Sequence, residues 1–113
     1  GIEGVSANIR VFSTVGRFLE HTRAYRFHAG GRDLVYLSSA DWMERNLHRR
    51  VETAFPVEEP ALKARVVREI FEIYAQDDLQ TWELAADGSY TPREAMSDTP
   101  VSAQRTLMEL LAN

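Results

Sequence analysis

The sequence predicts an α/β (α+β) fold in which sheet and helices are layered. Runs with the alternating apolar and polar positions of strands come one after another in the first half of the chain. Two amphipathic helical patterns follow, one from Pro60 and one from Val101 to Leu111. With 113 residues, 44% of them apolar and 27% charged, the chain can bury the core of one domain or of a large part of one.

Four strands are predicted in the first half, over residues 9–15, 23–27, 34–37 and 51–57. The connection Ala29–Asp33, which contains two glycines, is typical of a hairpin turn. Pro56 ends the fourth strand or places it at an edge of the sheet, because proline lacks a backbone donor. Since the chain opens directly on a strand, we expect an unpaired sheet edge and, through it, a homo-oligomer.

The helices have clear starting signals. The polar run Ser38–Asp41 offers N-cap chemistry for a short helix from Trp42 to about Leu47. Glu58–Pro60 begins the longest helix, because acidic groups suit the positive end of the helix dipole and proline suits the first turn.

The second half continues with a strand over residues 79–84, a turn over residues 86–89 and a polar linker over residues 92–100. We therefore expect one domain over residues 1–92. The linker and the C-terminal helix occupy residues 93–113.

Charge is distributed unevenly along the chain. The net charge is −4, yet residues 10–50 hold eight arginines against four acidic side chains, and residues 51–113 hold five basic against twelve acidic ones. The guanidinium group of arginine suits bidentate contact with phosphate. The alternative interpretation of these arginines is scattered surface charge.

Several classes of protein are excluded. The absence of cysteine rules out disulfides and thiolate metal sites, and no apolar run reaches the roughly 20 residues of a membrane span. There is no glycine-rich phosphate loop, no Gly-x-Ser-x-Gly motif and no histidine pair with metal-ligand spacing. We expect a cytoplasmic protein, at most peripheral to the membrane, that has no metal site and no nucleic-acid surface of its own.

Residues that can act on phosphoryl groups concentrate between positions 19 and 50. Phosphoryl transfer uses cations at the nonbridging oxygens and often a histidine that exchanges a proton near neutral pH. His21 and Arg23, two residues apart, fit these needs, although a lone histidine is also commonly structural. His28 and His48 are expected to be exposed.

The segment after the third strand adds further candidates. Ser38 and Ser39 offer hydroxyl donors, and the helix from Trp42 would direct free backbone N–H groups at an anion. Arg45, Arg49 and Arg50 lie on or just after that helix. His21, Arg23, Ser38, Ser39 and these arginines are therefore candidates for phosphate binding.

Two blocks of sequence, NIRVFSTVGRFLEHTRAYRF and VYLSSADWMERNLHRRVETAFPV, stand on either side of the Gly-Gly turn. Together they resemble the C-terminal domain of bacterial polyphosphate kinases of the phosphohistidine type, from about Gly4 to Pro92. The resemblance implies a phospholipase D-like mixed sheet with flanking helices, present as a partial domain whose N-terminal part is missing. Each half of that fold provides one histidine to a shared phosphoryl site.

Against the phospholipase D pattern, His21-Thr22-Arg23 stands where those enzymes have His-x-Lys, and Ser38–Asp41 stands where they have Gly-Ser-x-Asn. The aspartate that completes their pattern falls on His28. This departure argues against a phospholipase D-like hydrolase.

The resemblance further implies an enzyme that reversibly transfers the terminal phosphate of ATP to polyphosphate, with Mg²⁺ held mainly by residues outside this chain. The histidine that becomes phosphorylated belongs to a preceding domain. His21 matches a second, catalytic histidine that donates a proton or binds phosphate, Arg50 matches an arginine of the nucleotide pocket, and Arg45 belongs to the same motif. The expected partners are ATP or ADP, polyphosphate and the rest of the kinase chain, so the fragment alone is predicted to be inactive.

A function of another class remains open. The arginine-rich segment would serve equally in a noncatalytic module for polyanion binding or assembly, which would bind polyphosphate without the other domains.

Overall fold

The computed structural model describes residues 1–112. The chain folds as two compact units: unit 1 contains Gly1–Leu19 and the segment that begins at Ile73, and unit 2 contains Glu20–Glu72. Each unit has its own three-stranded antiparallel sheet. The predicted α/β (α+β) class is confirmed, with the strands divided between two small sheets.

Unit 2 is built on a hairpin. β2 (Ala24–Ala29) and β3 (Arg32–Ser38) pair antiparallel along all of β2. The two residues between them, Gly30 and Gly31, have φ angles of 57° and 80°. Two positive φ angles in a two-residue loop are typical of the hairpin turns that glycine adopts without steric cost. The predicted hairpin is confirmed, and both strands are longer than expected.

The sheet of unit 2 has the order β2-β3-β4, where β4 (Ala54–Pro56) is an edge strand. The prediction that Pro56 marks a strand end at a sheet edge is confirmed. The strand is shorter than the predicted range 51–57. Val35, on the central strand β3, is only 1% exposed and forms the centre of the core of unit 2.

The predicted start of the long helix is confirmed. α2 (Pro60–Val66) has Glu59 as its N-cap, and the Glu59 carboxylate accepts the N–H groups of Ala61 at 3.1 Å and Leu62 at 2.7 Å. These contacts satisfy two of the backbone donors that a helix start leaves unpaired.

Beyond α2 the regular helix gives way to a π-helical segment, Val67–Glu72, and α3 (Ile73–Gln76) then resumes the α-helical form. A π-helical segment widens the turn, so it shifts the residues that follow it around the helix axis. Val67 and Ile73 are buried, whereas Leu62 is 53% exposed. The broad apolar face of the predicted helix is therefore only partly core.

Unit 1 places β5 (Thr81–Leu84) between β1 (Phe12–Thr14) and β6 (Tyr90–Pro92). The turn between β5 and β6 lies where it was predicted, with Gly88 at a φ of 88°. β1 is shorter than the predicted range 9–15. α4 (Ala103–Leu111) ends the described chain, capped by the hydroxyl of Ser102.

The polar segment before α4 is fastened by a carboxylate. Asp78 accepts the N–H groups of Val101 at 2.6 Å and Met96 at 2.8 Å, and these hydrogen bonds hold the pKa of Asp78 below its usual value. The division of the chain at residue 92 stays a prediction, and Asn113 lies outside the described residues. Among residues 1–112, every helix is too short or too polar to serve as a membrane span.

Candidate functional site

The candidate site lies at one end of the β2–β3 hairpin, within unit 2. Because the two strands are antiparallel, the residues before β2 and those after β3 lie at the same end. The N–H of Ser38 donates to the carbonyl of Arg23 at 2.9 Å. The hairpin therefore brings His21 and Arg23 beside the segment Ser38–Asp41, two parts of the sequence that were predicted to share a site.

An ion pair joins these two segments. Arg23 Nε donates to Asp41 Oδ1 at 2.7 Å and Arg23 Nη2 donates to Asp41 Oδ2 at 3.1 Å, which makes the contact bidentate. Arg23 Nη1 also donates to the main-chain carbonyl of His21 at 3.0 Å. Of the five N–H groups of the guanidinium, three are thus used to hold the loop after β3 and the backbone at His21.

Basic side chains lower the pKa of the Asp41 carboxylate. The hydrogen bond from Arg23 is the main reason why the pKa of Asp41 lies below its usual 3.8, and the positive charges of Arg23, His21 and Arg45 lower the pKa further. His21 and Arg45 are exposed. Positive charge therefore converges at this point with two side chains open to solvent.

The two predicted serines stabilise the loop. Ser38 Oγ accepts the N–H of Ala40 at 3.0 Å, and Ser39 Oγ accepts the N–H of Thr53 at 3.1 Å. Ser39 also donates its hydroxyl proton to Glu52 Oε2 at 2.5 Å. Within the described chain, Ser38 keeps its own O–H for another acceptor, whereas the O–H of Ser39 is committed to Glu52.

Glu52 was not among the predicted site residues. Besides accepting from Ser39, it contributes its negative charge to the environment of Arg23, whose pKa is raised first by the hydrogen bond with Asp41 and also by the charges of Asp41 and Glu52. The sequence feature that points to Glu52 is the presence of a carboxylate within the apolar, strand-like run VETAFPV.

The remaining arginines lie on or beside α1 (Glu44–Arg49). Arg45 and Arg49 line a shallow recess of about 320 Å³. Arg50 follows as the C-cap, is exposed, and makes no hydrogen bond or ion pair with residues 1–112. The charge of Arg45 thus helps to lower the pKa of Asp41, whereas Arg50 is not among the groups that do so.

The predicted capping of α1 is wrong. The helix begins at Glu44 and not at Trp42, and its N-cap, Met43, makes no side-chain cap hydrogen bond. Asp41 cannot cap the helix because its carboxylate is engaged by an arginine, while its carbonyl accepts the N–H of Met43 at 2.8 Å. The helix has six residues with Glu44 in its first turn, which disfavours an anion there, and the expected contact of its backbone N–H groups with phosphate stays a prediction.

An aromatic groove of about 480 Å³ adjoins the loop. Trp42 Nε1 donates to Tyr25 Oη at 2.6 Å, and the two rings lie 5.9 Å apart between centroids. Trp42 is nevertheless 80% exposed. The other side chains that line the groove are those of Phe27, Tyr36, Ser38, Ala40, Leu47, Glu52, Thr53 and Ala54.

Asn46 is a buried residue that contacts the backbone of the loop after β3. It is 2% exposed, its Nδ2 donates to the carbonyl of Asp41 at 3.4 Å, and its Oδ1 is buried without a partner among the described residues. His28 and His48 are exposed, as predicted. In the part of the chain that the structure describes, no group of three or more His, Asp or Glu side chains is placed to hold a metal ion.

The chain is similar to known proteins over most of its length. The family model described as "Polyphosphate kinase C-terminal domain 2" matches residues 1–104. The polyphosphate kinase of Pseudomonas aeruginosa is 55% identical over 99% of this chain, and that of Pseudomonas putida is 53% identical over 100% of it. The crystal structure of the polyphosphate kinase from Porphyromonas gingivalis superimposes with a TM-score of 0.85 over 95% of this chain, at 37% identity.

In each of these comparisons the chain spans 16% of the length of the relative. The family match, in contrast, extends over nearly all of the chain. This chain belongs to the polyphosphate kinase C-terminal domain family.

Proposed function

We propose that this chain is part of an ATP–polyphosphate phosphotransferase. The enzyme would reversibly transfer the terminal phosphate of ATP to polyphosphate through a phosphohistidine located in a preceding domain. The chain would supply one side of the nucleotide and phosphate pocket. A cytoplasmic location and assembly into a homo-oligomer are further parts of this proposal.

The observation that carries the proposal is the convergence of basic side chains at the end of the hairpin. Arg23 is hydrogen-bonded to Asp41, and the charges of His21 and Arg45 help to lower the pKa of the Asp41 carboxylate. Two of them, His21 and Arg45, are exposed and so can meet a ligand from solvent. A phosphoryl group in transfer carries its charge on three nonbridging oxygens, and fixed cations at those oxygens lower the barrier.

Each predicted residue then has a proposed role. His21 donates a proton or binds a phosphate oxygen, and Arg45 and Arg50 neutralise phosphate charge. Arg23 and Ser39 hold the loop, with the remaining donors of Arg23 and the hydroxyl of Ser38 directed at phosphate. Arg50 is exposed and would contact phosphate from the end of α1.

Magnesium is proposed for the whole enzyme only. The described residues do not form a set of three or more carboxylates or imidazoles around one point. Magnesium usually binds to one or two carboxylates together with substrate phosphates and water, and we propose that residues outside this chain supply most of its protein contacts.

The test compares the isolated chain with the full-length protein. We expect the full-length enzyme to form ATP from ADP and polyphosphate, measured by luminescence, because both halves of the site are present. We expect no ATP formation above background from the isolated chain, because the reactive histidine is absent. Inactive full-length protein, or an isolated chain of comparable activity, would contradict the proposal.

A second candidate function is supported by the exposed arginines of α1. Arg45 and Arg49 share one recess, and Arg50 follows them on the surface. If the chain is a stand-alone polyanion-binding module, it should bind polyphosphate with micromolar affinity, more weakly as salt rises, because charges at a surface are screened. Titration of the isolated chain at two salt concentrations measures this, and absence of binding would favour a half-site that needs the preceding domain.

A further inference from the structure

We propose that Asp41 is a positioning residue: through Arg23 it fixes the main chain at His21, and it keeps Arg23 largely engaged with protein groups. This inference rests on the proposed function, because it concerns the same site. It gives Asp41 a role at the site beyond the N-cap chemistry that was predicted for the Ser38–Asp41 run.

The geometry supports a fixed arrangement. A bidentate arginine–carboxylate contact fixes the orientation of both planar groups, because two parallel N–H···O bonds must be satisfied together. At 2.7 and 3.1 Å, both contacts between Arg23 and Asp41 lie within hydrogen-bond distance. The third bond, from Arg23 Nη1 to the carbonyl of His21 at 3.0 Å, transmits this orientation to the histidine backbone.

The backbone of Asp41 is also held in place. The main-chain carbonyl of Asp41 accepts the N–H of Met43 at 2.8 Å and the side-chain amide of buried Asn46 at 3.4 Å. Trp42, the next residue, donates to Tyr25 at 2.6 Å. Arg23 lies just before β2 and Tyr25 within it, and residues two apart in an extended chain point to the same side. The contacts of Arg23 and Tyr25 therefore both hold the loop to this end of the hairpin.

The charge of the pair makes the test specific. An asparagine at position 41 cannot form the charge-assisted bidentate contact, so the orientation of Arg23 and of the His21 backbone relaxes. The same substitution removes one negative charge from a site for polyanions. Binding of polyphosphate should therefore not weaken, while the chemical step becomes slower.

We expect Asp41→Asn in the full-length enzyme to lower kcat by roughly 10- to 100-fold, as misplacement of a reacting group does. KM for polyphosphate should stay the same or fall. Arg23→Lys should lower kcat similarly, because lysine keeps the charge but cannot make the planar contact. The double variant should lose little more than either single variant, since both substitutions break one interaction.

A matched control lies on the same hairpin. Arg26 Nε donates to Asp33 Oδ1 and Arg26 Nη2 donates to Asp33 Oδ2, both at 2.9 Å, so this pair has the same bidentate form. Arg26 lies three residues beyond Arg23, roughly 10 Å along the strand, and on the opposite face. Asp33→Asn removes the same charge and the same contact, and should leave kcat unchanged.

The outcomes separate the two proposals. If the wild-type full-length enzyme forms no polyphosphate from ATP, the proposed function fails. If the wild type is active and Asp41→Asn keeps its kcat, or if kcat falls equally in Asp33→Asn, the positioning role is overturned. If both aspartate variants unfold at a temperature close to that of the wild type, the loss of kcat in Asp41→Asn is an effect on the site. A large drop in the unfolding temperature of Asp41→Asn alone indicates a merely structural role and also overturns the inference.

Discussion

We expect the His21→Ala variant of the full-length enzyme to lose roughly 10²- to 10⁴-fold in the rate of polyphosphate synthesis, which is the usual contribution of a positioned proton donor or acceptor. His21 is exposed, its backbone is held by Arg23, and its charge acts on Asp41 together with that of Arg45. The measurement is the steady-state rate of polyphosphate formation from ATP, with circular dichroism as a check on folding.

His28→Ala is the matched control, because His28 is an exposed histidine of the same unit, near the glycine turn at the far end of the hairpin. Its substitution should leave the rate within about twofold of the wild type, as expected of a surface position remote from named interactions. Near-normal turnover in His21→Ala, or an equal loss in both variants, would remove His21 from the reaction.

A third variant separates the two roles proposed for His21. Glutamine offers an amide N–H that can replace an imidazole donor toward a phosphate oxygen, but it cannot give up a proton near neutral pH. A rate in His21→Gln well above that of His21→Ala therefore indicates a phosphate ligand. Equal losses in the two variants indicate proton transfer.

The hairpin of unit 2 could be predicted because its signals are local. Two consecutive glycines allow the positive φ angles of the turn, and Glu59 next to Pro60 specifies a helix start without reference to the rest of the chain. Once the hairpin is predicted, antiparallel pairing alone places His21 and Ser38 at one end. The meeting of these two segments was thus within reach of sequence analysis.

The division of the strands into two sheets could not be predicted from the sequence. β1 pairs with β5, with Thr14 opposite Thr81, and no local signal specifies a partner so distant in sequence. The regular helical pattern of apolar residues also does not predict the π-helical segment over Val67–Glu72. Both features depend on packing between parts of the chain that periodicity treats separately.

The site shows the same limit at the level of single side chains. The sequence indicates that arginines gather near the loop, but an arginine can bind either a ligand or a carboxylate of the protein. The pairing of Arg23 with Asp41 and of Ser39 with Glu52 decides which donors remain for phosphate. Those pairings follow from three-dimensional geometry, and for that reason the capping role predicted for the Ser38–Asp41 run was wrong.

The largest effect on stability is expected at Asp77 in unit 1. This side chain is fully buried, Oδ1 accepts the N–H of Gln80 at 2.9 Å and the hydroxyl of Thr81 at 3.0 Å, and Oδ2 accepts the N–H of Ala103 at 2.7 Å. The carboxylate therefore connects the end of α3 with β5 and with the first turn of α4. No pattern in the sequence distinguishes it from other acidic residues.

In Asp77→Asn the shape is kept, but one oxygen becomes an NH₂ group, and in either orientation of the amide this group faces a backbone donor. We expect a loss of roughly 1 to 3 kcal/mol in the free energy of unfolding, which is the usual cost of a buried donor without an acceptor. Urea unfolding followed by tryptophan fluorescence measures it. When the measurement is made on this chain carrying Trp42→Phe, all tryptophan emission comes from Trp82 of β5 and reports on unit 1.

Asp87→Asn provides the control within the same unit. Asp87 is exposed, and a single oxygen, Oδ1, accepts both the N–H of Ser89 at 2.9 Å and its hydroxyl at 2.6 Å. An asparagine oxygen can keep both contacts, so the urea midpoint should hardly change. Equal midpoints for the Asp77 and Asp87 variants would mean that the buried carboxylate does not hold α4 to the sheet. A lower urea midpoint in Asp77→Asn alone shows that the stability of unit 1 depends on the Asp77 carboxylate.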